Sequence, residues 1–457
     1  MLIVAIMTPL LSGCYGKGSS ADPPANFTAV AGDNRVTLNW TTVPGVEYWI
    51  FSSTDPSLTA FNFPPAHLYI HPGAPMPFYM CSLLDGVPYY FAANGRINGG
   101  PGGPSSPTIS GIPYNASAAT WTAPSPPANG IPLTTNLYGV GYTSLTTCGN
   151  AASISAAGTF AAVGAGGAIF TSSDGKSWTN QAAPSGFTTD LYAVTGYAAS
   201  QNNPANPALR WVAVGAGGAS VYSTDGITWS VGGASNLTTQ ALRSITQVTG
   251  NFFAVGDAGT IISSTDGNTW TSHTSGTPNN LNGVAHGGIF VAVGDNETIL
   301  ISGDGNTWTP PPTISPAIPS GTSLRQVASF VSIYGSIYVA VGDNGTIVTS
   351  DTYHGTNNWS TQTLGSANMV GITVESRGVD TTTVLTADTS LGFVSTAQFV
   401  AVDSTGKTYT SVNGYTWAPS VSTGISCSTT TFCVNPLVSS GFGYVAAGNA
   451  GATAYAF

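Results

Sequence analysis

The chain has 457 residues, of which 42% are hydrophobic, 10% aromatic and only 6% charged, and its formal charge is −10 with nine Lys and Arg. The length suits two or three domains with real cores. So few charges, against about 25% in ordinary soluble domains, leave solubility to Gly, Ser, Thr and Asn and favour strands and turns over helices. No basic stripe exists to neutralise phosphates, which excludes nucleic acid as a partner.

The first twenty residues read "MLIVAIMTPLLSGCYGKGSS". The apolar run is too short to span a bilayer as a helix and has the length of a secretory h-region. "LSGC" resembles the lipobox of bacterial lipoproteins. That resemblance implies lipidation at Cys14, with membrane contact only through that anchor. No Lys or Arg precedes the run, so the usual basic n-region is missing. Two other readings stay open: the segment is cleaved, or it stays and is buried as a strand in a neighbouring subunit. "GKGSS" reads as a flexible linker that closes this segment at residue 21.

Residues 22–113 form the first predicted domain. In "NRVTLNWT", Val36, Leu38 and Trp40 point one way and Thr37 and Asn39 the other, as in a half-buried strand. "GVPYYFAANGRINGGPGGPSSP" gives a Tyr-rich strand and then a Gly/Pro stop. The Pro-rich entry, strand-borne Trp40, "PYYFAA" strand and "GPSSP" exit resemble a fibronectin type III domain. The resemblance implies a β-sandwich acting as spacer or binding module. The middle, "LTAFNFPPAHLYIHPGAPMPFYM", holds more Pro and aromatics than that family shows. His67 and His71 are four apart, but Pro64, Pro65 and Pro72 argue against a helix, so loop histidines are expected rather than a metal site.

The rest repeats. "FAAVGAGGAIFTSSDGKSW" from 160 is followed by "WVAVGAGGASVYSTDGITW" from 211, "FFAVGDAGTIISSTDGNTW" from 252 and "FVAVGDNETILISGDGNTW" from 290. "YVAVGDNGTIVTSDTYHGTNNW" from 338, "FVAVDSTGKTYTSVNGYTW" from 399 and a shortened "YVAAGNAGATAYAF" from 444 continue the series. Another apolar strand precedes most copies, as in "LYGVGYT", "LYAVTGY", "LRSITQV" and "LNGVAHG". Units of four strands at this spacing predict the blades of a β-propeller. "GDNGT" between the second and third strands supplies Gly and Asn where φ must be positive. "S-x-D-G-x-T-W" between the third and fourth resembles the Asp-box of sialidase-like and photosystem-assembly-factor-like propellers. The resemblance carries over to Asp174, Asp225, Asp266 and Asp304 and to Trp178, Trp229, Trp270 and Trp308. It implies carboxylates that accept N–H bonds within the turn and indoles that pack on the neighbouring sheet. Asn413 replaces the Asp in the sixth copy.

Six copies are complete, and the seventh lacks only its "TWT" strand. "ATWT", residues 119–122, has that ending with no preamble. Docked beside "GATAYAF", it closes the ring through Trp121 and removes an open sheet edge. The expected fold is therefore all-β: a fibronectin type III-like sandwich, then a seven-bladed propeller over 116–457 closed by the strand 119–122.

Catalytic chemistry finds little support. A sialidase needs an arginine cluster, a Tyr nucleophile with a Glu, and an acid. The propeller offers Arg210, Arg243, Arg325 and Arg377, and its glutamates are Glu297 and Glu375. Arg243 and Arg325 sit on innermost strands and would face the channel. No "GxSxG" occurs, and His273, His286 and His354 are isolated. Asp257, Asp295 and Asp343 fall at equivalent turns of three successive blades, where a weak cation face competes with plain turn formation. No catalytic, cofactor or metal site is assigned. Cys427 and Cys433 flank "STTTF" as a disulfide pair, with Cys148 a rival partner and Cys81 alone; such bridges fit an exported chain. The expected function is that of a non-catalytic structural or adhesive protein, extracellular or on a bacterial outer surface. Its partner is a second copy of itself, as in a fibre, or a surface glycan or protein. A lipid-tethered binding or assembly-factor propeller is the alternative, and a sialidase-like enzyme a minor one.

Overall fold

A computed structural model of the chain describes residues 18–32, 35–61, 69–74, 76–81, 83, 87–113, 130–132, 134–143, 159–198, 209–332, 335–351, 358–379, 395–422, 437–439, 444–448 and 452–456. They divide into two compact units, one within 18–113 and the other holding nearly all of 130–456. Cys14, His67, Trp121, Cys148, His354, Cys427 and Cys433 lie outside the described residues.

Unit 1 contains strands β1 (Ser19–Ala21), β2 (Ala25–Gly32), β3 (Arg35–Thr41), β4 (Val46–Ser53), β5 (Tyr69–His71), β6 (Phe78–Cys81), β7 (Tyr89–Ile97) and β8 (Ile109–Gly111). One sheet runs β1–β7–β4–β5 with β8 also on β7; the other runs β2–β3–β6. The alternation in β3 decides how they meet. Val36, Leu38 and Trp40 are buried and share one core with Phe78 and Met80 of β6, Tyr48 and Ile50 of β4, and Phe91 and Ala93 of β7. Trp40 anchors it, with Phe27 and Tyr48 each at a ring separation of 6.2 Å in edge-on geometry. His71 lays its ring against Phe78 at 4.9 Å. The expected linker is corrected here: residues 19–21 form a strand of this sheet, paired with Gly95–Ile97.

Unit 2 shows seven antiparallel sheets among the described residues, spanning 137–181, 191–231, 242–273, 281–302, 324–363, 369–422 and 437–456. The third is representative: Leu242–Val248, Asn251–Gly256, Ile261–Ser264 and Trp270–His273 pair in chain order. The second strand of each sheet has an apolar centre because both its faces are buried there. Phe160 and Ala162 point into a core with Val445 and Ala447 of the seventh sheet. Ala161 and Val163 point into a core with Leu191 and Trp211 of the second. Val212 meets Leu242, Val255 meets Leu281, Val293 meets Leu324, Val341 meets Met369 and Val402 meets Ala446 in the same manner. Each sheet thus shares one core with the sheet before and another with the sheet after, and the last returns to the first. That is a β-propeller.

The first strands pack side by side about the axis, which demands small residues. A Cβ on Gly139 would stand 2.5 Å from Tyr192 O, and one on Gly283 would stand 2.9 Å from the Gln326 Cα. The expectation of four strands in every unit needs one correction. The fourth sheet has three strands and a single bridge, Ile301 to Thr309. Its next ladder positions are Pro310 and Pro311, which have no N–H to donate. The chain instead crosses to the fifth sheet, where Ser315 N–H donates to Trp359 O at 2.8 Å.

Candidate functional site at one end of the ring

Antiparallel pairing places the turns between second and third strands at one end of the ring and the S-x-D-G turns at the other. At the first end, six of the turns among the described residues are tied to the start of their own inner strands. The N–H groups of Ala165, Ala216, Asp257, Asp295, Asp343 and Ser404 donate to the carbonyls of Asn136, Asp190, Ala241, Asn280, Ser323 and Asn368 at 2.8–3.0 Å. The second residue of each inner strand therefore stands beside a turn: Tyr138, Tyr192, Arg243, Asn282 and Arg325 in successive sheets.

Their chemistry differs from what the sequence suggests. Arg243 is ion-paired with Asp257 of its own sheet, and Arg325 with Asp343, where Nε lies 2.8 Å from Oδ1. Asp295 accepts from Asn282 Nδ2 at 2.8 Å and from Asn280 Nδ2 at 2.9 Å. The three aligned carboxylates are thus engaged by neighbouring side chains rather than open to a cation, and neither arginine stands apart to receive a substrate carboxylate. Tyr138 and Tyr192 meet edge to face at 5.6 Å. Burial pushes both phenols up, and the Asp190 charge adds to it. The first, third and fifth sheets also clasp the sheet that follows each: Gly166, Ala258 and Asn344 N–H donate to Asp190 Oδ1, Asn280 Oδ1 and Asn368 Oδ1 at 2.8–3.0 Å.

The turn backbones meet the sequence expectation at most positions, with φ of 54° at Asn344 and 68° at Gly345. Glu297 departs from it. It occupies a left-handed position, φ 55°, that Gly167, Gly218, Gly259 and Gly345 fill in four other turns. A Cβ on Gly259 would come 2.0 Å from Thr277 O. The long loop 309–323 makes room at Glu297, whose carboxylate accepts from Thr322 N–H at 3.2 Å.

At the opposite end, one hydrogen-bond set recurs. Lys176 and Ser177 N–H both donate to Asp174 Oδ1 at 2.8 Å, while Ser172 Oγ accepts from Gly175 N–H at 2.8 Å. Asp225, Asp266 and Asp304 accept in the same pattern at 2.7–2.9 Å. The N–H bonds of Thr307 and Asn306 hold the Asp304 carboxyl down to about 2. For Asp174, Asp225 and Asp266 burial pulls upward, but the turn N–H groups together outweigh it and the carboxyls titrate low. Trp229, Trp270 and Trp308 donate Nε1–H to the turn carbonyls of Gly226, Gly267 and Gly305 at 3.0–3.3 Å. Each sits in the core shared with the preceding sheet, as does Trp178.

Asn413 reproduces the turn with a neutral acceptor, taking Tyr415 and Thr416 N–H at 2.9 Å. Charge strengthens such bonds. Asn413→Asp is therefore expected to raise the melting temperature slightly, and Asn413→Ala to lower it, in thermal melts at neutral pH. The sequence reading missed Asp403. It replaces the strand-end glycine of the other units and is 2% exposed. Thr405 and Lys407 N–H and the Tyr409 hydroxyl satisfy it at 2.9, 3.1 and 3.2 Å. "VAVDS" against "VAVGD" was the available signal.

Burial pushes His71, His273 and His286 below the ordinary 6.5; the Asp304 charge partly opposes this at His273. The unfolded chain then binds protons that the folded one resists, so this stability is complete above 6.5 and is lost as pH falls below it. The Asp turns add a second loss below 3.8. Melts between pH 7.5 and 3 are expected to fall in those two stages.

The family model of the DUF6242 beta propeller domain matches residues 206–322, from the second sheet to the loop after the fourth. Among solved structures, the chain is similar to "YCF48 bound to D1 peptide" at 15% identity, covering 74% of this chain and 94% of that one, with a TM-score of 0.49. YCF48 from Cyanidioschyzon merolae matches at 14% identity over 74% and 98%, with a TM-score of 0.46. The WD40 beta propeller domain of Doa1 matches at 11% identity over 70% and 92%, with a TM-score of 0.44. No curated protein matches the chain. The family match and the ring of sheets agree on a β-propeller.

Proposed function

We propose that the chain is a non-catalytic structural or adhesive protein of an outer cell surface. In this reading unit 1 is a fibronectin type III-like spacer. Unit 2 is a seven-bladed Asp-box propeller closed by residues 119–122, and the partner is protein, foremost a second copy of the chain. The supporting observation is how the polar groups of unit 2 are used. Arg243 and Arg325 are spent on Asp257 and Asp343, and the turn aspartates on backbone N–H groups. Such an inventory builds a rigid ring with a mosaic of hydroxyls and amides outside. A groove of about 580 Å³ beside the third sheet mixes Thr238, Thr260, His273, Ser275 and Thr277 with Leu237, Ile261 and Pro278. It suits contact with protein or glycan.

Self-assembly is assigned to the apolar run within residues 1–12, which as a strand would need both faces buried. The full chain and a chain lacking residues 1–20 are to be compared by size-exclusion and electron microscopy. Filaments from the first and monomers from the second are expected. Monomers in both overturn the fibre. The "LSGC" resemblance favours a second reading, a tethered binding propeller. Mass spectrometry showing a lipidated Cys14 at the mature N-terminus would select it.

A further inference from the structure

β7 has two edges. β4 covers one along its whole length, pairing Val46–Ser53 with residues 90–97. The other is shared by two short strands. β8 pairs with Tyr89–Phe91 at one end and β1 with Gly95–Ile97 at the other. Between them Ser106 bridges the gap: its N–H donates to Ala93 O at 2.7 Å, and its Oγ accepts from Ala93 N–H at 2.9 Å.

β1 is held from a second side. The glycine-rich stretch after β7 folds back over it, and the approach leaves no room for side chains. A Cβ on Gly103 would lie 1.8 Å from Ala21 O, and one on Gly100 would lie 2.4 Å from Ser19 N. A Cβ on Gly18 would lie 2.3 Å from Ile97 O, and one on Gly95 would lie 2.3 Å from Asp22 O. Gly103 N–H also donates to Gly95 O at 2.9 Å, fastening the strap to the strand that β1 pairs with. "INGGPGGPSSP" is therefore a strap shaped around a backbone, not only a stop signal.

The directions matter. The chain enters β1 at the Ile97 end of β7 and leaves β8 at the Tyr89 end, about 26 Å away at roughly 3.3 Å per residue. Tension between residues 18 and 111 pulls the two strands apart along their own axes. Antiparallel ladder bonds lie across that axis, so they are loaded in shear and must yield together. We propose that β1 and its glycine strap are a mechanical anchor, which passes tension from the chain before residue 18 through β7 to the chain after residue 111. The proposal rests on the surface-protein reading for its purpose but not for its test, which needs neither partner nor lipid.

Force spectroscopy on the full chain, with attachment handles at residues 17 and 113, is the experiment. The wild type is expected to show a distinct high-force release before the sandwich unfolds. In Gly103→Val the Cβ displaces Ala21, so that first release is lost, and residues 19–21 lose hydrogen-exchange protection while Ile50 and Phe91 keep theirs. A chain beginning at residue 22 is expected to keep both sheets of unit 1 folded, since no β1 side chain belongs to the described core. Unchanged release force and protection in Gly103→Val would overturn the anchor. So would unfolding of unit 1 on loss of residues 1–21, which would make β1 a folding element instead. Filament assays do not enter, so failure of the fibre reading leaves this result standing.

Discussion

Trp211→Ala is expected to destabilise unit 2 by about 3–5 kcal/mol, the usual cost of emptying a large buried aromatic site. Among the described residues Trp211 is the largest fully buried side chain, with no exposure. It fills the core between the first two sheets, among Ala161, Val163, Leu191 and Trp229. Its fit depends on small neighbours: a Cβ on Gly196 would approach its ring to 3.0 Å, and one on Gly226 would stand 3.4 Å from Nε1. The backbone around it is fixed by ladders on both sides, so the site cannot collapse. Trp211→Phe separates packing from hydrogen bonding. The Trp211 Nε1 has no partner among the described residues, so Phe discards no bond and is expected to cost less than half as much. Thermal and denaturant melts of both variants check this. Equal losses would show that the indole N–H has a partner after all.

The sequence carries most of this fold because two faces of one strand type are buried. "FVAVG" could not be amphipathic when Ala161 and Phe160 serve different cores, and its regular return announced the ring. Turn chemistry was equally legible, since glycine or asparagine is required at positive φ and recurs at one offset. Pairing preferences between side chains were not. Arg243 and Arg325 read as channel-facing charges, because nothing in a single repeat shows that the turn carbonyl geometry brings Asp257 and Asp343 to them. The Tyr138 and Tyr192 contact links different sheets and has no local signature. The fourth sheet's lost strand was visible as "TWTPPP", but the repeat pattern outweighed the prolines. β1 was hidden for a different reason: Ser-Ser-Ala has no strand pattern, and its partner lies more than seventy residues away in β7.

Closure is the second large effect. The seventh sheet ends, among the described residues, with Thr453–Ala456 as its outer strand. It is already docked on its neighbour. Val445 and Ala447 share the core of the first sheet, Leu137 N–H donates to Gly448 O at 3.1 Å, and Lys176 Nζ sits 4.9 Å over the Tyr455 ring. The ring thus meets without residues 119–122. In the proposed closure these residues would add an outer strand on the ladder edge of Thr453–Ala456, with Trp121 in the place that Trp178 or Trp229 takes elsewhere. An uncovered edge is a template for pairing with other chains. Deleting residues 1–123 is therefore expected to lower the melting temperature of unit 2 by several degrees and to bring on aggregation during heating. Deleting 1–112 removes unit 1 but spares "ATWT" and is expected to leave that transition in place. If that closure holds, Trp121→Ala in the full chain should reproduce the first truncation in weaker form, because it would remove the indole while leaving the backbone pairing. If the two truncations melt alike, the seventh sheet has a different fourth strand or none, and residues 119–122 are only a linker.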